Sequence, residues 1–334
     1  MDRPPLPFML APMLAAPGVP PRARLAEWAV EMKWDGVRAL AVISGGGLQL
    51  VSRTGKDITA TYPDVAGLAS AVAGRETVLD GEIVAFTDGR PDFEALQPRM
   101  HVASAAAALR LAELIPVTYL AFDVLYHDGV PLTGRPYAER RAALESIVEN
   151  GPGWQCPPAF PGTDLDAVRA ASVANGLEGV VAKRLDSVYE PGVRSADWLK
   201  LKNVLRQEVV VAGWKPGQGN RAGLIGSLLV GLYSGGYPGD ENGQRRLLYC
   251  GHVGTGFSDE TLRMLTGRLS ALRRPDSPFD EPVPPEYAKP AVWVEPRLVV
   301  EVTFDRWTRA GRMRAPAYQG LRDDKDPADV VRET

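Results

Sequence analysis

Hydrophobic and polar positions follow two patterns up to about residue 204. Alternating or short apolar runs bounded by Gly and Asp predict strands over residues 36–43, 48–52, 77–86, 117–126, 176–184 and 197–202. Apolar stripes at helical spacing predict helices over residues 64–73, 104–114, 137–148 and 164–174. Three glycines at 45–47 separate two of these strands and predict a hairpin turn. This part of the chain is therefore expected to be an α+β domain.

From about residue 205 the pattern changes to short alternating strands separated by Gly- or Pro-rich turns. Strands are predicted over residues 208–214, 224–233, 246–253 and 292–304, and one helix is predicted over residues 259–272. About five short strands with a single helix suit a small closed barrel such as an OB-fold. The chain is therefore expected to contain two domains, residues 1–204 and residues 205–334.

The composition of the 334 residues is typical of a globular protein, with 45% hydrophobic and 24% charged residues. No stretch approaches the ~20 apolar residues that a membrane span needs, and the N-terminus lacks the pattern of a secretory signal. Cys156 and Cys250 are too far apart in sequence for a zinc knuckle or a disulfide framework. We therefore expect a cytoplasmic protein that makes no membrane contact.

The overall charge does not point to a nucleic-acid partner, because the formal net charge is −3 and the pI is about 5.8. The C-terminal part nevertheless carries a slight excess of basic residues. Within it, Arg306, Arg309, Arg312 and Arg314 follow one another without an intervening acid after Asp305. A cluster of this kind is more often a solvated face, but it could also meet phosphates.

The most informative segment contains Glu31, Lys33, Asp35, Gly36 and Arg38. A lysine at the end of a strand, followed by an Asp-Gly turn and a second strand, projects its amine from a tight turn into a cleft. The fork of the arginine five residues later is available for a phosphate. Taken alone, the segment could equally be a chance arrangement, since lysines often precede Asp-Gly turns.

Further residues with suitable chemistry follow in a fixed order, and these are Glu82, Phe122, Glu178, Arg194, Lys200 and Lys202. The two lysines share one face of a strand because side-chain direction alternates along it. Together these residues supply two carboxylates, an aromatic face and several cations. Their occurrence in this order after the lysine segment is very improbable by chance.

With these elements the sequence resembles the ATP-dependent DNA ligases of the covalent nucleotidyltransferase superfamily, and it is most similar to the bacterial end-joining ligases. The resemblance runs from about residue 5 to 331 and includes residues 52–57, 91–99 and 320–325. It implies an adenylation domain with antiparallel sheets and flanking helices, followed by an OB-fold β-barrel domain. It also implies ATP and a divalent metal ion, Mg²⁺ or Mn²⁺, as cofactors.

The resemblance gives roles to individual residues. Lys33 is the nucleophile that takes AMP, and nucleotide contacts are expected from Glu31, Arg38, Arg53, Glu82, Phe122, Arg194, Lys200, Lys202, Arg322 and Lys325. Phe122 is expected to stack on adenine and Glu31 to lie at the polar edge of the base. Glu82 and Glu178 are the expected metal ligands. Because a lysine is protonated at neutral pH, the cations Lys200 and Lys202, together with the metal, are expected to favour loss of its proton.

Three residues in the matching segments have less certain roles. Lys183 follows the second carboxylate, and it is either a direct ligand, an indirect contact or a solvated lysine. Trp198 is expected to pack in the core and hold the strand that presents the lysines. Asp323 departs from the usual residue of the last motif, and a carboxylate beside Arg322 is expected to weaken its hold on pyrophosphate.

Nicked or broken duplex DNA is the expected substrate. Expected partners are a Ku-type end-binding protein and a repair polymerase or primase, and the chain is expected to be a nucleoid-associated bacterial monomer. An RNA ligase or a capping-type nucleotidyltransferase is an alternative. A second alternative, of another class, is a non-catalytic OB-fold module that binds nucleic acid.

Overall fold

The computed structural model describes residues 10–100, 102, 104–234 and 245–333. The chain divides into two compact units, Met1–Asn203 and Val204–Thr334. Within the described residues, no helix is both long and apolar enough to cross a membrane.

The first unit has two sheets with helices around them. Its strands are β1 (Leu14–Pro17), β2 (Trp28–Lys33), β3 (Val37–Ser44), β4 (Gly47–Ser52), β5 (Thr77–Thr87), β6 (Arg90–Pro91), β7 (Val117–His127), β8 (Val130–Pro131), β9 (Trp154–Gln155), β10 (Phe160–Pro161), β11 (Gly179–Arg184) and β12 (Arg194–Lys202). Its α-helices are α1 (Leu68–Ala71), α2 (Phe93–Leu96), α3 (Ala105–Leu114), α4 (Tyr137–Ile147) and α5 (Leu165–Ala174). Short 3₁₀ helices span Arg22–Glu27, Thr59–Thr61, Pro63–Val65, Gln97–Arg99 and Gly162–Asp164.

One sheet has the strand order β1-β12-β11-β2-β10 and the other has the order β4-β3-β5-β7-β8, with β6 and β9 as short additions. Most pairs are antiparallel, and the exceptions are β1 with β12 and β7 with β9. The α+β class with antiparallel sheets is therefore confirmed. Each strand that the pattern predicted in this unit is present, as are the helices predicted over residues 104–114, 137–148 and 164–174.

The hairpin at the three glycines also forms as predicted. Ser44 pairs with Gly47, so Gly45 and Gly46 are the two central residues of the turn. Their φ angles are 59° and 77°, in the left-handed region that a two-residue hairpin turn requires and that glycine adopts without strain.

The prediction of a helix over residues 64–73 is largely wrong. A 3₁₀ turn begins at Pro63, and only Leu68–Ala71 is α-helical. The Asp64 carboxylate accepts hydrogen bonds from the buried Arg99 guanidinium and from the Val117 backbone N–H. These long-range partners stabilise an irregular segment, which the local apolar pattern does not reveal.

The first sheet has one apolar face and one polar face, because side chains alternate along each strand. Val30, Val180 and Leu201 point into an apolar cluster with Leu165 and Val168 of α5. The other face carries Glu31, Lys33, Lys200 and Lys202. Lys33 and Lys202 lie on either side of Gly179, because both pair with it, and Glu31 and Lys200 lie on either side of Val181 in the same way. The sheet therefore brings residues of distant segments together on one polar face.

The second unit is built on one sheet. Its elements are the strands β13 (Leu205–Pro216), β14 (Ile225–Tyr233), β15 (Leu247–Val253), β16 (Val292–Phe304) and β17 (Ala317–Leu321), the helices α6 (Asp259–Ser270) and α7 (Pro285–Ala288), and the 3₁₀ helices Gly219–Arg221 and Pro327–Asp329. Leu262, Leu265 and Leu269 of α6 pack into the apolar cluster of this sheet. The predicted strands and the predicted helix are present, and the unit is OB-fold-like.

The closed barrel expected for this unit is not formed by the described residues. The strand order is β15-β14-β13-β16-β17, an open sequence with β15 and β17 at its edges. Single contacts join the two sides, among them an isolated bridge between Thr255 and Ala317 and a hydrogen bond from the Met313 N–H to the Cys250 carbonyl oxygen. The short β17 leaves too few residues for a ladder that would close the sheet.

Candidate active site

A pocket in the first unit is lined by side chains of both sheets. Its volume is about 230 Å³. The predicted residues that line it are Glu31, Lys33, Arg38, Arg53, Glu82, Phe122, Arg194 and Lys200. Trp34, Lys183 and Trp198 also line it, and the sequence had not indicated that the two tryptophans would do so. Trp198 is 2% exposed, so its predicted place in the core is confirmed.

Lys33 lies where the chain passes from one sheet to the other. It ends β2 of the first sheet, and Val37 begins β3 of the second. At Gly36 the backbone runs so close to β5 that a Cβ atom would lie 2.2 Å from the Ile83 carbonyl oxygen. Any side chain at this position would push the strands apart, so the Asp-Gly turn fixes where the Lys33 amine enters the pocket.

Glu178 lies between two lysines. Its carboxylate forms an ion pair with Lys33, and its other oxygen is 3.0 Å from Lys202 Nζ. Burial opposes ionisation of this carboxyl, but the two ammonium groups outweigh it and lower the pKa of Glu178 below its usual value. Lys202 is thus bound to a carboxylate that it shares with Lys33, an arrangement that the sequence did not predict.

Lys200 is two residues from Lys202 on the same strand face and lines the pocket. Partial burial lowers the pKa of Lys200, and the neighbouring cations Arg194, Lys33 and Lys202 lower it further. Arg194 donates a hydrogen bond to the Ala15 carbonyl oxygen at 2.8 Å. A concentration of positive charge on this side of the pocket suits a ligand with several negative charges.

The sequence had suggested that the guanidinium of Arg38 is available for a phosphate, but part of it is already paired. Its Nε and Nη2 atoms donate to the Asp80 carboxylate at 2.9 and 2.6 Å. Asp80 is fully buried and also accepts from the Tyr189 hydroxyl at 2.6 Å. The expectation of a free guanidinium is therefore wrong for the Nε and Nη2 atoms of Arg38, which are held by Asp80.

Glu82 lies directly opposite Arg38 in the register of β3 and β5. Burial raises the pKa of its carboxyl from the ordinary value of 4.5 to about 8, and Asp80 and Asp35 contribute in the same direction, whereas Arg38 and Lys33 oppose the shift. Glu82 is therefore protonated at neutral pH in the ligand-free pocket.

This raised pKa makes stability depend on pH. Above the ordinary pKa of 4.5 the unfolded chain loses the Glu82 proton, whereas the folded chain keeps it. The contribution of Glu82 to the unfolding free energy is therefore fully present below pH 4.5. It disappears as the pH rises through about 8. Relative to Glu82→Gln, which cannot titrate, the wild-type chain is expected to lose up to about 1.4 kcal/mol of unfolding free energy per pH unit across this window.

The measurement is denaturant unfolding of both chains from about pH 5 to about pH 8.5, in the presence of a chelator and without nucleotide. Unfolding free energies that change in parallel for the two chains would contradict the assigned protonation of Glu82.

Lys183 contacts both Phe122 and Glu31. The Phe122 ring has the Arg38 guanidinium 5.3 Å and the Lys183 ammonium 4.7 Å from its centre. Lys183 Nζ is 2.9 Å from Glu31 Oε2. Lys183 is 2% exposed, so the reading of it as a solvated lysine is wrong. It connects the residue expected at the face of the base with the residue expected at its edge.

Glu82 in the pocket and Glu178, which pairs with Lys33 beside it, could together hold a metal ion that takes most of its other ligands from a bound nucleotide. Among the residues that the structure describes, no group of three or more His, Cys, Asp or Glu side chains could hold a metal on its own. Glu178 and Glu82 offer hard oxygen atoms, which Mg²⁺ and Mn²⁺ accept together with phosphate oxygens and water. The donor set therefore suits an ion that arrives with a nucleoside triphosphate.

Arg322 and Lys325 belong to the second unit and are paired with acids there. Arg322 Nη1 is 2.5 Å from Glu208 and 3.2 Å from Glu301, and its Nη2 is 2.8 Å from Asp324. Lys325 Nζ is 3.1 Å from Glu208.

Asp323 was expected to weaken the hold of Arg322 on pyrophosphate, and that effect stays a prediction. The Asp323 carboxylate accepts from both terminal nitrogens of Arg268, at 2.8 and 3.0 Å. Arg268 thereby holds Asp323 away from Arg322, and the acid that does contact Arg322 is its next neighbour, Asp324.

Comparison with protein families gives two matches that together cover most of the chain. Residues 12–202 match the model of the ATP dependent DNA ligase domain. Residues 221–325 match the model of the ATP dependent DNA ligase C terminal region. The pocket residues named above all fall within the first match.

Among curated proteins, the chain is 42% identical over 325 residues to the multifunctional non-homologous end joining DNA repair protein LigD of Mycobacterium tuberculosis. The alignment covers 97% of this chain and 40% of that protein. The LigD protein of Pseudomonas aeruginosa is 37% identical, with 98% of this chain and 37% of that protein covered. The chain thus spans about two fifths of the length of these relatives.

Among solved structures, the ligase domain of M. tuberculosis LigD matches with a TM-score of 0.52 and 39% identity, covering 97% of this chain and 98% of that domain. Mycobacterial DNA ligase D complexed with ATP and MES matches with a TM-score of 0.51 and 38% identity, with the same coverage.

Proposed function

Because the chain belongs to the ATP-dependent DNA ligases, we propose that its Lys33 becomes adenylated by ATP and that the AMP is used to seal DNA breaks. The observation that carries this proposal is the position of the Lys33 amine. It enters a pocket that also holds Phe122, Glu31 and a group of cations. A covalent nucleophile needs this combination of a fixed amine, a base site and positive charge near the phosphates.

The Lys33 amine attacks the α-phosphorus of ATP. A bond forms between Nζ and phosphorus, the bond from phosphorus to the bridging oxygen breaks, and pyrophosphate leaves with the electron pair. In the second step the AMP passes to a 5′-phosphate at a break. In the third step a 3′-hydroxyl attacks that phosphate and AMP leaves, so that the strand is closed.

The Lys33 amine is held in an ion pair with Glu178. An amine that is held by a carboxylate is not free to attack phosphorus, so Lys33 becomes reactive when Glu178 ceases to be its partner.

Other residues bind and orient the nucleotide. Phe122 stacks on adenine and Glu31 meets the polar edge of the base, while Arg53, Arg194 and Lys200 contact ribose or phosphate oxygens. Glu178 and Glu82 would hold a divalent ion, Mg²⁺ or Mn²⁺, which neutralises phosphate charge when it is bound. For this, Glu82 must give up the proton that it carries in the ligand-free pocket. Arg322 and Lys325 stabilise the departing pyrophosphate.

The proposal is tested by incubating the chain with α-labelled ATP or GTP and a divalent metal salt. Label that survives denaturing electrophoresis is expected from ATP and not from GTP. The labelled chain, freed of nucleotide, should then seal a nicked duplex. Label from GTP would favour the capping-type alternative, and absence of label from either nucleotide would favour a binding module.

We further propose that the DNA substrate is a nick or a break and that the chain works with an end-binding protein of the Ku type and a repair polymerase. Support comes from the relatives, whose names describe end joining, and from the net charge of −3, which predicts weak, salt-sensitive binding to DNA. Sealing at physiological salt should therefore be stimulated by an end-binding partner. Equal rates with and without that partner would count against this proposal.

A further inference from the structure

Lys183 is a charged side chain in a place where an apolar one would pack well. It is 2% exposed, and its ammonium group lies 4.4 Å from the centre of the Trp198 ring and 5.0 Å from that of Tyr137. Burying an ammonium group is costly unless it is paired, and a buried ion pair is often no more stable than apolar residues of the same volume. Stability alone therefore does not account for a lysine here.

The partners of Lys183 are the two residues expected to contact the base. Its ammonium group forms an ion pair with Glu31 Oε2 at 2.9 Å and donates to the Phe122 carbonyl oxygen at 3.1 Å. It also lies 4.7 Å from the centre of the Phe122 ring. One buried group thus fixes both the ring on which a base would stack and the carboxylate at the edge of that base.

The other oxygen of Glu31 is held by helix α4. The Tyr137 hydroxyl donates to Glu31 Oε1, and Arg141 Nη1 is 3.8 Å from the same atom. An ionised carboxylate has about four acceptor positions, so it keeps capacity for a further donor from the pocket. Tyr137 and Arg141 contact Oε1, whereas Lys183 contacts Oε2, so Lys183 fixes the orientation of the second carboxylate oxygen.

We propose that Lys183 is a positioning residue that sets the selectivity for a 6-amino purine by holding the Glu31 carboxylate as an oriented acceptor beside Phe122. This inference rests on the proposed function, in which Glu31 meets the polar edge of adenine. An ionised carboxylate only accepts hydrogen bonds, so it attracts a 6-amino group and repels a 6-oxo group.

Loss of Lys183 changes what Glu31 can do. Without Lys183, Oε2 of Glu31 loses the donor that orients it, and Arg141, 3.8 Å from Oε1, is the cation that remains. A carboxylate that can turn no longer presents its acceptor to the 6-amino group in one fixed direction. Selectivity should therefore decrease without Lys183, even though the ring of Phe122 and the nucleophile Lys33 are still present.

The test compares ATP with ITP, which carries an oxo group in place of the 6-amino group and a hydrogen on N1, and which has the same ribose and triphosphate. The readout is kcat/KM for labelling of the chain, with KM and kcat determined separately. Lys183→Met is expected to lower the ATP-to-ITP ratio of kcat/KM about tenfold or more, chiefly through KM. Lys183→Gln, which keeps a donor but no charge, should lower it as well, and Lys183→Arg should restore most of it.

Arg99→Met is the matched control, because Arg99 is also a fully buried cation paired with a carboxylate, that of Asp64, but does not line the pocket. It should reduce thermal stability and leave the ATP-to-ITP ratio unchanged. A ratio that stays at the wild-type value in Lys183→Met and Lys183→Gln would overturn the inference while leaving the proposed function intact. A wild-type chain that takes no label from ATP would refute the proposed function itself, and this inference with it.

Discussion

Replacement of Lys33 with alanine is expected to remove covalent labelling by ATP, a decrease of about a thousandfold or more to the background of the assay. The turn through Gly36 fixes the position of the Lys33 amine in the pocket. Two other lysines line the pocket, but Lys183 is buried in an ion pair with Glu31 and Lys200 is assigned to ribose or phosphate oxygens. Lys33→Arg should be equally inactive. It keeps the positive charge beside Glu178 but has no amine that can become neutral near pH 7.

The joining of a nick that already carries AMP on its 5′-phosphate separates this chemical role from a general loss of structure. That step does not need the amine, so Lys33→Ala should still perform it at a measurable rate. Lys289→Ala, which removes an exposed lysine in the second unit, is the control and should keep both reactions. Retention of covalent label in Lys33→Ala would show that the nucleophile is elsewhere.

The sequence predicted the parts of the site that depend on alternation along a single strand. Lys200 and Lys202 do share one face of β12, since they are two residues apart in an extended segment. It also predicted the hairpin at Gly45 and Gly46, because a two-residue turn of this kind needs positive φ angles that glycine adopts easily.

What the sequence did not predict depends on which strands are neighbours. Glu178 lies between Lys33 and Lys202 because β11 is the middle strand between β2 and β12. No local pattern encodes that order. The same holds for Asp80, whose partners Arg38 and Tyr189 are distant in sequence. The resemblance to a family named the residues of the pocket but not these pairings within it.

The second large effect is expected at the buried ion pair of Arg140 and Asp123, and it concerns stability rather than chemistry. Both side chains are 0% exposed, and Arg140 donates two hydrogen bonds to Asp123 at 2.9 and 3.0 Å. Arg140 also donates to the carbonyl oxygens of Arg135 and Ser187. It thereby ties α4 to β7 and to the segment that follows β11.

Arg140→Met is expected to lower the unfolding free energy by about 3–5 kcal/mol, because the change leaves the Asp123 carboxylate buried without its cation and removes the donor from two carbonyl groups. Denaturant unfolding monitored by circular dichroism measures this difference. Arg135→Met is the control, since Arg135 belongs to an ion pair with Glu139 at 3.6 Å whose side chains are 60% and 58% exposed. That change should stay within about 0.5 kcal/mol of the wild-type value.

A double variant shows whether the loss comes from the uncompensated carboxylate. Asp123→Asn combined with Arg140→Met removes the buried charge that Arg140→Met leaves behind. The double variant should therefore have a higher unfolding free energy than Arg140→Met alone, although it carries one more substitution. If the double variant were instead less stable by the sum of the two single effects, the two residues would not be coupled. In that case the pair would not be what fixes α4, and with it Tyr137 and Arg141, next to Glu31.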